Sequence, residues 1–407
     1  MKKLSLLISS MLLVAGVFAQ WPATIGPDNY GYTMENFDNT DARYVWLDVS
    51  PTSATPGVDV TGLGDDNFVG PFNLGFDFPF YWLQRDEVFI GSNGFISFNR
   101  GFNLASQGGG FGTFPNNDSK NEVIAPLLSD LSFATPNAAL PNPGKCYFYT
   151  NNQDLAVISF VNVPFWNNGD PAEWAGANSF QIHLSASDST IKFVYLSQDG
   201  TYDTAYDPDP SDPNPNPGPL VVGIENVTGT VGLGINATVN ATNLLPLAQT
   251  GSVFYAPKST TLSVPDLEVF DIQNSESAGF FLPVPGSSFK VDANLVNVGT
   301  TDILSTTTIN ASIRQAGSPL YLDFLTIPSV NQGATESFEF GAPLILTTSG
   351  SFEFTVDLTN NDDVNPSNNR KIVEVNALDT VGGSTTFGYT TFLDATGVDA
   401  QVNWTGT

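Results

Sequence analysis

The chain has one cysteine and one histidine in 407 residues, and each scarcity excludes a class of protein. Cys146 alone cannot form an intramolecular disulfide, so stability has to come from burial of apolar side chains. His183 alone offers at most one imidazole to any nucleophilic triad, whose base is usually histidine. Positive charge is also scarce: 13 Lys and Arg face 41 Asp and Glu, a net charge of −28. Such a surface repels nucleic acid and anionic membranes, because binding either requires Lys and Arg to displace counterions. It favours solubility and attracts divalent cations. Past the N-terminal segment, no run approaches the ~18 apolar residues of a membrane helix, so no membrane insertion is expected. The chain also lacks a G-x-S-x-G elbow, an H-E-x-x-H pair and a Walker loop. Gly108-Gly109-Gly110 has no Lys and no helical pattern after it, which argues against a phosphate cradle.

What is present begins with an export signal over residues 1–19. Lys2 and Lys3 form its basic start, Leu4 to Val17 its apolar stretch, and Val17-Phe18-Ala19 its cleavage site. Gln20 follows where a lipoprotein would need Cys. Removal of Lys2 and Lys3 leaves 11 basic against 41 acidic residues, a net of −30. A secreted or cell-surface chain is expected.

Short alternating runs between turn residues fill the rest, punctuated by 37 Gly and 28 Pro. No sustained helical period interrupts them, so an all-β fold of antiparallel sandwiches is predicted. The first domain spans residues 20–257 and reads as a large β-sandwich. Its strongest local signal is Asn93-Gly94 between Val88–Ile90 and Phe95–Phe98. Asn-Gly accepts the positive φ angles of a type I′ turn and predicts a hairpin. Tyr202 to Pro219 is rich in Pro and Asp and is expected to be an exposed loop, since proline cannot donate to a ladder.

Within this domain, LGFDFPFYW, EVFIGSNGFISF and VIAPLLSDL follow one another between Leu74 and Leu131. This order resembles the extracellular domain of nidogens and its bacterial relatives. The likeness continues through Tyr147-Phe148-Tyr149, Leu155 to Val163, Ser179 to Leu184 and Ile191 to Tyr195. It departs at Leu127-Leu128, where that family prefers aromatics. The resemblance implies adhesion and matrix contact rather than catalysis.

Residues 258–265 read as a linker and 266–378 as an immunoglobulin-like sandwich of about seven strands. Phe289, Val291, Ala293 and Leu295 share one face, as do Phe352, Phe354, Val356 and Leu358. LVNVGTTDI and LTNNDDVNPSNNRKIVEV resemble the cell-adhesion-related repeat of bacterial surface proteins. Residues 379–407 start new strand-like runs, expected to be the start of a further module or a C-terminal tail.

Three kinds of candidate residue follow. Trp166, Glu173 and Trp174 in FWNNGDPAEWAG combine indoles, which stack on sugar rings, with a carboxylate, and form the candidate ligand site. Asp65-Asp66-Asn67 and the turn carrying Asn361, Asp362, Asp363 and Asn365 offer oxygens suited to calcium, the expected cofactor. Asp203, Asp207, Asp209 and Asp212 do so less well, because prolines restrict their loop. His183 alternates opposite the apolar set of its strand and is expected on an exposed face. Cys146 is expected to pack as a small apolar group.

No catalytic site is predicted for this segment. The preferred function is binding to an extracellular polymer, matrix or carbohydrate ligand. The alternatives are the non-catalytic front of a longer secreted hydrolase and a structural spacer. The sequence leaves the oligomeric state open.

Overall fold

The structure is a computed structural model. It describes residues 22–98, 101–102, 104, 113–117, 120–135, 138–166, 175–198, 218–239, 248–274, 281–284, 288–341, 343–379, 386–393 and 399–405. The described residues hold strands and turns and no helix, as the turn-punctuated sequence predicts. Residues 1–19, expected to be an export signal, and most of the proline-rich segment lie outside them.

The first domain is a sandwich of two antiparallel sheets. The eight-stranded sheet runs Thr24–Ile25, Thr33–Asp38, Thr250–Tyr255, Thr190–Ser197, Ala175–Ser185, Leu155–Phe165, Lys145–Thr150, Val58–Asp59. The six-stranded sheet runs Gly232–Val239, Gly218–Glu225, Val123–Leu128, Phe95–Ser97, Leu83–Gly91, Phe68–Phe80. Phe160, Phe180 and Phe193 of the first sheet and Phe78, Ile96 and Val222 of the second share one core. Cys146 is buried in it, and burial pushes its thiol pKa up. Removing such side chains from water contributes about 2 kcal/mol each, which replaces what disulfides would supply.

Both sheets are also covered on their outer faces. Every residue of Val123–Leu128 is buried, because Phe95, Val123, Ala125, Leu128 and Val221 meet Phe114, Phe102 and Leu104 on the far side. The Phe95 and Phe102 rings stack there at 5.9 Å.

Two local expectations are corrected. The hairpin forms, with Gly91 paired to Phe95, but its tip has three residues and only Gly94 has positive φ (+78°). A type I′ turn would need positive φ at both central residues; Asn93 instead turns its side chain inward and is fully buried. Pro219 lies in the strand Gly218–Glu225 rather than in the loop. Pairing with Val123–Leu128 begins only at Val221, so the missing proline N–H breaks no bond of that ladder.

The second domain packs a three-stranded sheet (Leu267–Asn274, Val291–Asn297, Thr335–Glu339) on a five-stranded one. The latter runs Phe281–Val284, Arg370–Asp379, Gly350–Thr359, Thr307–Gln315, Ser318–Ile327, with Phe281–Val284 parallel to its neighbour. Val291–Asn297 alternates buried and half-buried residues along its length. Phe289 and Phe354, from the two predicted apolar faces, meet with ring centroids 3.8 Å apart. A last hairpin pairs Thr386–Leu393 with Asp399–Thr405.

Candidate functional site

One end of the first sandwich collects several of the residues singled out from the sequence. Asp65, Asp66 and Asn67 lead into Phe68–Phe80 and are tied to the hairpin tip. Ser92 N donates to Asn67 O (2.8 Å), Asn67 N donates to Ser92 Oγ (3.0 Å), and the Ser92 hydroxyl donates to Asp65 O. Asn93 fills the space behind them. Its Nδ2 donates to Asp66 Oδ1 (2.8 Å) and Leu104 O (2.7 Å), and its Oδ1 accepts from Leu131 N (2.9 Å).

The segment after Leu131 connects this tip to the other sheet. Phe133 N donates to Gly64 O (2.7 Å), Ser132 N to Pro164 O (3.1 Å), and Trp166 N to Asp130 O (2.8 Å). Backbone bonds thus bring half-buried Trp166 beside Asp130, and Asp130 to the end that carries Asp65 and Asp66. Glu173 and Trp174 lie outside the described residues.

This end is electrostatically loaded. Desolvation pushes Asp65 up to about 6, the charge of Asp66 adds to the rise, and a Ser132 hydrogen bond opposes it. Asp66 is raised by burial, against the Asn93 hydrogen bond and the charge of Lys120. Asp65 Oδ1 is buried without a hydrogen-bond partner among the described residues. Asn67 behaves as a turn residue: its Oδ1 accepts from Gly64 N and its Nδ2 donates to Gly62 O, both at 2.7 Å.

The turn of the second domain divides into two groups. Asn361 and Asp362 are exposed. Asp363 points inward, accepting Leu267 N at Oδ2 and Asn365 N at Oδ1, both at 2.9 Å. Asn365 is fully buried and accepts from Ser367 N (3.2 Å) and Oγ (2.5 Å). Asp266, fully buried, joins this group through Asn368, whose Nδ2 donates to Asp266 Oδ1 at 3.0 Å. Sequence reading missed Asp266 because it lies 102 residues before Asn368. A lone Asp at a domain start carries no local signal. Among the described residues, no three His, Cys, Asp or Glu side chains converge to hold a metal.

His183 is a correction. It is buried rather than exposed, because the segment around Leu47 lies across the outer face of its sheet. Gln181 clamps that segment, with Nε2 donating to Leu47 O (2.6 Å) and Oε1 accepting from Leu47 N (3.1 Å). The same Oε1 lies 2.9 Å from His183 Nε2, so the hydrogen-bond pattern assigns the proton to that nitrogen. Desolvation, helped by the charge of Lys192, lowers the imidazole to about 3. It lines a cavity of about 330 Å³ with Arg43, Leu47, Asp188, Lys192 and Tyr255. Arg43 is held there by Asp41 and Glu35, each at 2.8 Å.

Residues 36–262, more than half of the chain, match the family model described as NIDO related. The chain belongs to the NIDO-related family. The nidogen-like resemblance of the first domain is therefore established, and the hairpin, the Asp65–Asn67 turn and Trp166 all lie within the NIDO-related region. No curated protein matches the chain. Among solved structures, the CARDB domain of a Pyrococcus furiosus protein in complex with di-metal ions is 18% identical. The match covers 29% of this chain and 97% of that one, with a TM-score of 0.23. The solution structure of that domain matches at 17% identity, 29% and 98% coverage, and the same TM-score. A Listeria innocua β-glucosidase in complex with glucose matches at 14% identity and a TM-score of 0.20, covering 29% of this chain and 16% of that enzyme.

Proposed function

We propose that this chain is a secreted or cell-surface binding protein that contacts a carbohydrate or matrix polymer and performs no catalysis in this segment. Membership of the NIDO-related family supports an extracellular adhesion-type β-domain. The observation that supports this choice of surface is that the Asp65-Asp66 turn and Trp166 are tied, through Asn93, Leu131 and Asp130, to the same end of the first sandwich. Indole faces stack on sugar rings, and carboxylates accept hydrogen bonds from sugar hydroxyls. The single imidazole is buried and held neutral, which favours binding over base-catalysed chemistry.

The test is a screen of the full chain against glycans and matrix proteins, with and without calcium. Retention on at least one polymer class is expected, weakened by Trp166→Ala roughly tenfold or more, as for a buried aromatic anchor. Absence of binding to every polymer would remove the adhesion reading. Binding indifferent to Trp166→Ala would move the contact surface elsewhere.

A further inference from the structure

The geometry points to a calcium site where the first strand of the second domain leaves the linker, formed by Asp266, Asp363, Asn368 and Asn369. It goes beyond the polymer-binding reading and does not rest on it.

Three buried side-chain oxygens here, Asp266 Oδ2, Asn368 Oδ1 and Asn369 Oδ1, have no hydrogen-bond partner among the described residues. Buried polar atoms are nearly always satisfied in folded proteins, so three unpaired oxygens in one cluster call for an electropositive partner; the same turn also buries one donor unpaired among the described residues, Asn365 Nδ2. The turn and the strand are firmly joined around them. Val364 N donates to Pro265 O and Val269 N to Asn368 O, both at 3.1 Å, and Asp363 Oδ2 caps Leu267 N. The fully buried Asp266 carboxylate is held toward the turn by the Asn368 amide on its Oδ1, leaving Oδ2 free to accept.

Two neighbouring carboxylates are thus held together at the start of the following strand. Arg370 pairs with Asp357 at 3.3 Å, and Lys371 Nζ donates to Phe270 O at 2.6 Å. A bound divalent ion would offset the two neighbouring carboxylates.

The donors are all oxygens, two carboxylates and two amides. Hard cations take such a set, while zinc and copper prefer nitrogen and sulfur. Magnesium keeps most of its waters and demands an octahedron, whereas calcium accepts several protein oxygens in irregular geometry, so calcium fits better. The exposed Asn361 and Asp362 are left out of the ligand set.

Calorimetric titration of the chelator-treated full chain with calcium tests this, with Asp266→Asn, Asp363→Asn and exposed Asp362→Ala alongside. Wild type and Asp362→Ala should bind with an affinity of about 10⁻⁴–10⁻³ M or tighter, the range of extracellular modules. Calcium should raise their thermal midpoints, and magnesium at equal ionic strength should not. Asp266→Asn and Asp363→Asn should each weaken one site about tenfold or more, because ligand charge sets calcium affinity. No calcium uptake by wild type at millimolar concentration would overturn the site, whatever the variants do. So would wild-type affinity and stoichiometry in both Asp→Asn variants. Should Asp266→Asn fail to fold, Asp363→Asn and the wild-type titration decide.

Discussion

Asn93 Oδ1 accepts the amide hydrogen of Leu131 at 2.9 Å, joining the hairpin tip of one sheet to the segment that crosses to the other. The same side chain donates to Asp66 and to Leu104 O in a fully buried site. Asn93→Ala would leave these partners unsatisfied, and a buried unpaired polar group costs about 1–3 kcal/mol. Chemical denaturation should show a loss of at least that size. Asn93→Asp should cost more, since it sets a second carboxylate against Asp66.

Gly94 follows with φ at +78°, and a Cβ there would run into Leu127 O. Gly94→Ala should therefore destabilise the first domain by about 1–3 kcal/mol, through left-handed strain together with the steric collision. An unchanged denaturation midpoint would show that the tip relaxes at no cost.

Arg85 Nε and Nη2 reach the two oxygens of Glu122 at 2.7 and 3.0 Å. The Glu122 side chain is 2% exposed, so truncating Arg85 removes two charge-assisted bonds from a buried carboxylate. Arg85→Ala should lower stability by about 2–3 kcal/mol. Arg85→Lys should recover only part of this, because an ammonium cannot present the two-pronged fork. Equilibrium unfolding of both variants checks the order.

His183 makes stability fall on acidification. Its pKa is about 3 in the fold and near the ordinary 6.5 when unfolded, so the unfolded chain binds the proton first. The contribution is complete above pH 6.5 and is lost as pH drops from there toward 3. The loss reaches at most about 5 kcal/mol, at 1.36 kcal/mol per pKa unit. His183→Gln should flatten the fall in thermal midpoint between pH 7 and pH 4. Parallel slopes for the two proteins would mean that the imidazole is not sealed from water.

Trp82 Nε1 donates to Val298 O at 2.7 Å, linking the first domain to the second. Asn117 Nδ2 makes a second link to Val364 O at 3.2 Å. Trp82→Phe removes the first bond while keeping the ring, so limited proteolysis within residues 258–265 should accelerate. Unfolding of each domain should change little. An unaltered cleavage rate would assign the junction's order to other contacts.

Much of the fold was legible in the residues themselves. The period-2 pattern of Phe289 to Leu295 and Phe352 to Leu358, the Asn93-Gly94 tip and the apolar setting of Cys146 all express short-range rules. Alternation tells which side chains share a face, and turn chemistry tells where the chain reverses. The family resemblance over the FPF and SNGF segments rests on the same local order. Alternation does not tell what covers a face. His183 stands opposite its apolar neighbours as read, yet it is buried because Gln181 anchors the distant Leu47 segment above it. The tip of the hairpin took its form from Asp66, Leu104 and Leu131 around Asn93, not from the Asn-Gly pair alone. Likewise, tertiary topology alone set Trp166 beside Asp130 and Asp363 beside Asp266. Strand propensity and turns act between chain neighbours, whereas burial and charge compensation are settled by whichever segments the sheets bring together.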